Sequence, residues 1–217
     1  MPNKYYQVAI DGPAGAGKST IAKLIAKKLN FTFINSGAIY RTITYALIQR
    51  NIGFEDVEGI VKTLSEINIK QIGDQMILDG VDISSEIRTP QISNNVAYVG
   101  KQKNAREYIK QVERDIASYQ NIVIEGRDTT TAVFPNATLK CWVFASPEIR
   151  AQRRWEQDGK IQDLNKVLEE VKARDKIDAE RAIDPMKKAN GALEVDTTNI
   201  TIDEAVDTIV NKFKELV

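Results

Sequence analysis

Histidine is absent from all 217 residues. That absence removes imidazole bases, Ser/His/Asp triads and histidine metal sites, so chemistry must rest on lysine, arginine, carboxylates, backbone amides and metal. Cysteine occurs once, as Cys141, which excludes an internal disulfide. Its place in the apolar run LKCWVF predicts a buried small residue rather than a nucleophile, in a reducing compartment. Neither charge is in excess: 30 Lys+Arg stand against 30 Asp+Glu. General attraction to nucleic acid or to a membrane is therefore not expected, and an anion site must come from local clusters of arginine. No apolar run approaches the length of a membrane span, and no stretch near the start joins basic, long apolar and small-residue cleavage segments; the expectation is a cytoplasmic protein with small-molecule partners. Internal repeats, low-complexity tracts and linkers are also lacking. At this length, with 42% hydrophobic residues, the chain is expected to fold as one domain over 1–217, taken here as a monomer.

What is present is organised around Val8 to Thr20, VAIDGPAGAGKST. Gly12, Gly17, Lys18 and Ser19 complete G-x-x-x-x-G-K-[ST], the spacing of a phosphate-binding loop. Tyr5 to Ile10 is β-branched, aromatic and mostly apolar, and from Lys18 the period becomes helical, with Ile21, Leu24, Ile25 and Leu29 on one face. Strand, loop and helix are thus in the order the loop requires. The stretch Gly12, Pro13, Ala14, Gly15, Ala16, Gly17, Lys18, Ser19 and Thr20 is the candidate ATP site. Its glycines let successive N–H groups turn towards an anion, and the helix start adds unpaired amides and a positive dipole end. Lys18 reaches the outer phosphates and stands exposed while the loop is empty, and the Ser19 hydroxyl is placed to ligate Mg²⁺.

A second strand, Phe31 to Asn35, reads as buried and leads through Ser36-Gly37 into a helix from Ala38 towards Arg50. Strand–helix–strand–helix implies a parallel sheet with right-handed crossovers and ligands at the carboxyl ends of its strands. Ser36, with Gly37, Tyr40 and Arg41, lies on the first helical turn, where Ser36 also serves as an ordinary cap. Glu55 to Glu66 reads as a helix. INIKQIG, QMILDG and VDIS then alternate as short antiparallel strands broken at Gly73-Asp74 and Asp79-Gly80; a flap over a substrate and a passive surface hairpin look the same at this level. Two helices follow, about Gln91 to Val99 and Asn104 to Ser118, the second carrying Ile109, Val112 and Ile116 inward, with Arg106 near its start.

Asn121 to Ile124 is a third strand, running into Glu125-Gly126-Arg127-Asp128. Two carboxylates and an arginine at that edge make a second candidate ligand site, with a structural Arg–Asp pair as the rival reading. A fourth strand, Leu139 to Ala145, is followed by a helix opening at Ser146-Pro147. That helix carries Arg150, Arg153 and Arg154 at spacings of three and four. A like-charged face is disfavoured unless anions lie over it, although a plain solvated face has the same pattern. In the helix Asp163 to Ala182, Arg174, Asp178 and Arg181 share a face while Asp175 points aside. Leu193 to Val195 is a fifth strand, and an amphipathic helix from Ile202 buries Ala205, Ile209 and Phe213. The fold class is α/β: a phosphate-loop, doubly wound parallel sheet of about five strands with helices on both faces, a small antiparallel β insert and a helical segment rich in arginine.

Taken in order, IDGPAGAGKST, NSGAIYR, SSEIRT, EGRD, VFPNA, RDKIDAER and VDTT resemble the bacterial cytidylate kinases along essentially the whole chain. The resemblance implies a nucleoside monophosphate kinase that moves the γ-phosphoryl of ATP, with Mg²⁺, to CMP or dCMP. It implies a monophosphate-binding insert over about 38–100 and a lid over about 148–162. It assigns Arg41 and Arg127 to the CMP phosphate, Asp128, Arg106 and Arg181 to the cytosine, and Asp178 and Arg174 to the ribose. Lys18, Arg127, Arg150, Arg153 and Arg154 would supply catalysis, and Glu125 would hold Mg²⁺ through water. Four residues depart from the family pattern: Asn35 for an aspartate, Ala97 for a serine, Thr130 for a glycine and Gly191 for an aspartate. The rivals are a kinase of another small acceptor, UMP or a non-nucleotide, on the same scaffold, and a nucleotide-binding switch. Against the switch, the guanine-reading N-K-x-D tetrapeptide is missing, since NKVL at Asn165 lacks the aspartate.

Overall fold

The computed structural model of the protein describes residues 4–217. Five parallel strands form the main sheet: β1 (Gln7–Asp11), β2 (Thr32–Asn35), β6 (Ile122–Gly126), β7 (Leu139–Phe144) and β8 (Leu193–Asp196), in the spatial order β2-β6-β1-β7-β8. The three intervening strands, β3 (Ile69–Ile72), β4 (Gln75–Leu78) and β5 (Val81–Asp82), pair antiparallel in a separate small sheet, which is the expected insert. β1 is central and buried along its whole length, as the unbroken apolar run requires of a strand covered on both faces. It begins two residues later than Tyr5 and runs on through Asp11, so a carboxylate ends the innermost strand.

Sheet order reverses at β1: the chain goes out to β2, returns to β6 on one flank and then passes to β7 on the other. In open α/β sheets the carboxyl ends of strands at such a switch point are where ligands sit. Register makes this concrete, since Asp11 pairs with Gly126 and Trp142 lies opposite Asp11 on the other side. The phosphate-loop motif and the Glu125–Asp128 segment therefore leave the same sheet edge from neighbouring positions, about 5 Å apart as adjacent strands are.

The core on one face packs α1 (Lys18–Leu29) and α8 (Ile202–Lys214) against the sheet. Ile21, Ile25, Ala205, Ile209 and Phe213 meet Val8, Ile10, Val143 and Val195 there. Tyr6, Phe31 and Phe213 close one end as an aromatic trio with centroids 5.5–6.4 Å apart. Cys141 is fully buried in this core and burial pushes its thiol pKa up, which makes it inert as expected. β2 is less buried than Phe31 to Asn35 suggested: it lies at the sheet edge and only Ile34 is fully covered.

The chain divides into two compact units, one from the residues through Phe33 together with Ala117–Val217, the other Ile34–Ile116. Within the second, α2 (Ser36–Gln49), α3 (Val57–Glu66), α4 (Pro90–Val99) and α5 (Lys103–Ala117) accompany the small sheet. α2 starts at Ser36, not Ala38, and its cap is Asn35, whose side chain accepts from Ala38 N at 2.8 Å. α5 differs from its expected pattern more deeply. Its buried positions are Ala105, Arg106, Ile109, Lys110, Glu113 and Ala117, while Val112 and Ile116 are half-buried. Charged residues displaced two of the three predicted apolar ones because Arg106 and Glu113 turn inward. In the first unit, α6 (Pro147–Gln157) and α7 (Leu164–Glu180) form a hairpin around Ala151, Val167 and Val171. α7 ends before Ala182, with Arg181 already extended at its cap.

Candidate active site

The loop after β1 is tied by sterics before any ligand is considered. Gly12 has φ 147°, and a Cβ there would lie 1.9 Å from the carbonyl oxygen of Val143, so no other residue fits. Gly17, with φ 84° at the N-cap of α1, turns the chain into the helix with a left-handed residue that glycine adopts without penalty. The helix start then presents backbone N–H groups and its dipole to the loop, the ordinary means of holding an anion. Among the carbonyls of the loop, Pro13 accepts from Lys18 Nζ at 2.7 Å, Ala14 from Arg150 Nη1 at 3.2 Å and Ala16 from Thr197 Oγ1 at 3.1 Å. Gly15, Ser19 and Thr20 face solvent.

Lys18 is not exposed, contrary to expectation. It is only 5% accessible and folds back on its own loop. Desolvation, with Arg127 as a second cause, holds its pKa down to about 7, against the opposing pull of Glu125, Asp11 and Asp178. The Ser19 hydroxyl donates to Glu125 Oε1 at 2.7 Å. A hydroxyl and a carboxylate side by side are hard oxygen donors, the type that suits Mg²⁺, which binds through one or two protein ligands plus phosphate oxygens. Among the described residues no group of three or more His, Cys, Asp or Glu could cage a metal by itself.

At the end of β6 the two charged neighbours part company. Arg127 sends Nε to Asp178 Oδ2 at 3.2 Å and Nη1 to the Gly126 carbonyl. Arg174 Nε reaches the same Asp178 oxygen at 3.3 Å, so one buried carboxylate of α7 gathers two arginines. Asp128 receives Arg181 Nη2 at 2.6 Å, and Arg181 Nε donates to the Asp184 carbonyl. The sequence placed Arg127, Asp128, Arg174, Asp178 and Arg181 in two separate stretches; the fold brings all five together.

Two groups went unread. Asp11, fully buried, accepts four hydrogen bonds from Thr129 and Thr130, whose backbone N–H and hydroxyl groups both donate, at 2.5–2.8 Å. Burial raises its carboxyl pKa even so. The available signal was a carboxylate closing an otherwise apolar strand, followed far along the chain by three threonines directly after Asp128. Thr197, buried, links the Phe144 and Ala16 carbonyls; it lies in the VDTT stretch, whose local pattern gives no sign of that link.

The arginines of α6 do not form an open face awaiting an anion. Arg150, 3% accessible, makes two hydrogen bonds with Asp175 of α7, at 3.1 and 2.7 Å, and a third to the Ala145 carbonyl. Asp175 was expected to point aside. Arg153 donates to the Thr197 carbonyl and hydroxyl, and Arg154 lies 3.5 Å from both Asp158 and Glu170. Like charges at i, i+3 and i+4 are tolerated because each guanidinium leaves the helix in a different direction towards its own acceptor.

The remaining candidates belong to the Ile34–Ile116 unit. Ser36 is buried in the first turn of α2. The guanidinium of Arg106, fully buried, lies 5.7 Å from the Tyr40 ring centroid and donates to the Gly100 carbonyl, a cation–π geometry. Arg41 folds back on the turn, so that a Cβ added to Gly37 would lie 3.5 Å from its Nη1. Gln71 of β3 accepts from Asn35 N at 2.9 Å, joining the small sheet to the start of α2.

The family model described as cytidylate kinase matches residues 8–215. A cytidylate kinase of Fusobacterium nucleatum is 45% identical over 212 residues, covering 96% of this chain and 97% of that one. One of Clostridium tetani is 45% identical over 206 residues, with coverages of 93% and 91%. Among solved structures, an uncharacterized protein from Eubacterium ventriosum superposes with a TM-score of 0.55 at 15% identity, covering 98% of this chain and 99% of that one; it shares the fold. No helix among the described residues is long and apolar enough to cross a membrane.

Proposed function

The chain belongs to the cytidylate kinase family, and from that premise we propose that it transfers the γ-phosphoryl group of ATP to CMP or dCMP, releasing ADP and CDP or dCDP. The observation that carries this reading is the Asp11–Gly126 register of β1 and β6. It sets the phosphate loop beside Arg127, so a donor triphosphate and an acceptor monophosphate would approach each other at one sheet edge.

In this reading the acceptor needs no general base, because a phosphate monoester with a second pKa near 6 is largely ionised at neutral pH. Catalysis reduces to alignment and charge neutralisation. The loop from Gly12 to Thr20 holds the ATP phosphates, with Lys18 leaving the Pro13 carbonyl for them. Ser19 would hold Mg²⁺ directly and Glu125 through water; the ion, when bound, neutralises charge on the phosphate oxygens. Arg127 and Arg41 hold the CMP phosphate, with Ser36, Gly37 and Tyr40 shaping its surroundings. Arg150, Arg153 and Arg154 would neutralise charge during transfer, turning for it from Asp175, from Thr197 and from Asp158 and Glu170 respectively. Arg106, Asp128 and Arg181 read the base, and Arg174 and Asp178 the ribose. The region about 38–100 acts as the monophosphate-binding part and about 148–162 as the lid of one domain. The reading takes the enzyme to be a cytoplasmic monomer, acting on neither nucleic acid nor membranes, which the equal numbers of acidic and basic residues support.

A coupled assay of ADP release across all ribo- and deoxyribonucleoside monophosphates tests it. The expected result is Mg²⁺-dependent turnover with CMP and dCMP well above UMP. Preference for UMP, or turnover only with an uncharged acceptor, would replace the reading with another kinase, and ATP binding without any acceptor-dependent turnover would leave the nucleotide switch.

A further inference from the structure

The side chain of Asp11 sits between the two halves of the proposed reaction. It ends β1, and the next residue is Gly12, whose backbone opens the phosphate loop and has no room for a Cβ. Its four partners, Thr129 N and Oγ1 at 2.8 Å each and Thr130 N and Oγ1 at 2.7 and 2.5 Å, follow directly after Arg127 and Asp128. They open a single turn of π-helix, Thr129–Val133, closed by Phe134 N on the Thr129 carbonyl at 2.7 Å. Each carboxylate oxygen takes one backbone N–H and one hydroxyl from the same threonine. The two backbone N–H groups can only donate, so each oxygen of residue 11 must accept: an asparagine amide would present NH₂ to one threonine and lose the backbone bond there, leaving only the hydroxyl able to turn and accept.

Resting on the functional reading above, we infer that Asp11 is a positioning residue, whose carboxylate clamps the Arg127–Asp128 turn to the phosphate loop and so sets the distance between donor and acceptor phosphates. Strand pairing already fixes the backbone as far as Gly126. Beyond that residue β6 has ended, and these four bonds are what ties the turn carrying Arg127 to β1, beside the Arg127–Asp178 and Arg181–Asp128 pairs that tie it to α7 and its cap. In-line transfer tolerates little error, since a displacement of about 1 Å at the reacting atoms costs on the order of a hundredfold in rate. Thr130 stands where the family pattern has a glycine, so in this chain one quarter of the clamp comes from a side chain that glycine lacks.

The clamp predicts an effect on the relation between the two nucleotides that exceeds the effect on either alone. For Asp11→Asn, calorimetry with ADP and with CMP is expected to show dissociation constants within about threefold of wild type. A bisubstrate analogue joining adenosine and cytidine through five phosphates should bind at least about tenfold more weakly, and kcat should fall by at least the same factor with both KM values nearly unchanged. The Thr129→Val/Thr130→Val pair, which keeps the backbone donors and removes the hydroxyls, should move the same way by less, and Thr129→Ser/Thr130→Ser should restore wild-type values. Equal weakening of all three ligands, or no change in the analogue, would overturn the inference, and loss of the fold in both Asp11→Asn and the valine pair would overturn it by making Asp11 a folding residue. A wild-type protein that binds neither CMP nor the analogue would remove the functional reading itself, and the clamp with it.

Discussion

Asp128 accepts a 2.6 Å hydrogen bond at its Oδ1 from Arg181 Nη2, while its neighbour Arg127 turns Nε to Asp178. The residue adjacent in sequence is thus committed elsewhere, and a residue 53 positions away orients the carboxylate. In the proposed reaction Asp128 would read the base. The cytosine amine donates to a carboxylate, whereas the uracil oxygen in the same place faces it as a repelling acceptor.

Asp128→Ala is accordingly expected to lower kcat/KM for CMP by about ten- to a hundredfold, the roughly 1.5–3 kcal/mol of a hydrogen bond to a charged group, while largely sparing UMP and the KM for ATP. Steady-state kinetics with both monophosphates decides the matter. An equal loss on CMP and UMP would mean that Asp128 only anchors Arg181.

Lys18 gives a pH signature. Its pKa is lowered from 10.5 to about 7 by burial first and by Arg127 second, so between these two values the folded protein holds fewer protons at this site than the unfolded chain. By linkage this group's contribution to stability rises with pH from about 7 towards 10.5, and its destabilising effect is fully present below 7. Phosphates next to the ammonium favour its charged form and reverse the shift. Binding of ADP at pH 8 is therefore expected to take up a fraction of a proton, read as a calorimetric enthalpy that varies with the ionisation heat of the buffer. Lys18→Ala should abolish that dependence and reduce turnover by far more than about tenfold, the equivalent of 1.4 kcal/mol in the barrier. A proton uptake that survives in the variant would assign it to another group.

The pairing of Arg150 with Asp175 ties α6 to α7, and the turn between these helices is sharp, with Gly159 and Lys160 both at positive φ and Lys160 stacked 5.1 Å over the Trp155 ring. If 148–162 acts as a lid, its amides should exchange rapidly in the protein alone and become protected when the bisubstrate analogue is bound. Equal protection in both states would make the α6–α7 hairpin a rigid support. Asp175→Ala, which releases Arg150, is expected to speed exchange in the same segment without altering that of β1 or β6.

The phosphate loop was legible because its requirements are local: a strand, glycines where the backbone must turn left, a lysine and a hydroxyl at one spacing. The strands of the parallel core were legible for the same reason, each being a short apolar run bounded by turn residues. The cap of α2 was misassigned to Ser36 because both Asn35 and Ser36 are good caps, and only the backbone conformation at Asn35 selects between them. α5 was misread because apolar periodicity cannot foresee a helix that buries Arg106 and Glu113. The three arginines of α6 illustrate the same limit. Their spacing shows that they could share a face, but not that Asp175, Thr197 and Glu170 each stand ready to take one.

The amino-acid sequence by itself determined the chemistry available to this protein: no imidazole, a thiol in an apolar run, a phosphate loop, and arginines and aspartates gathered in a few short stretches, all read from residue type and short-range spacing. Tertiary structure alone decided who pairs with whom. Asp11 meets Thr129 and Thr130, Ser19 meets Glu125 and Asp128 meets Arg181 across 118, 106 and 53 residues of chain. Such partnerships follow from strand order and register, which bring distant positions of the chain within hydrogen-bonding distance and leave no trace in the local pattern of either partner.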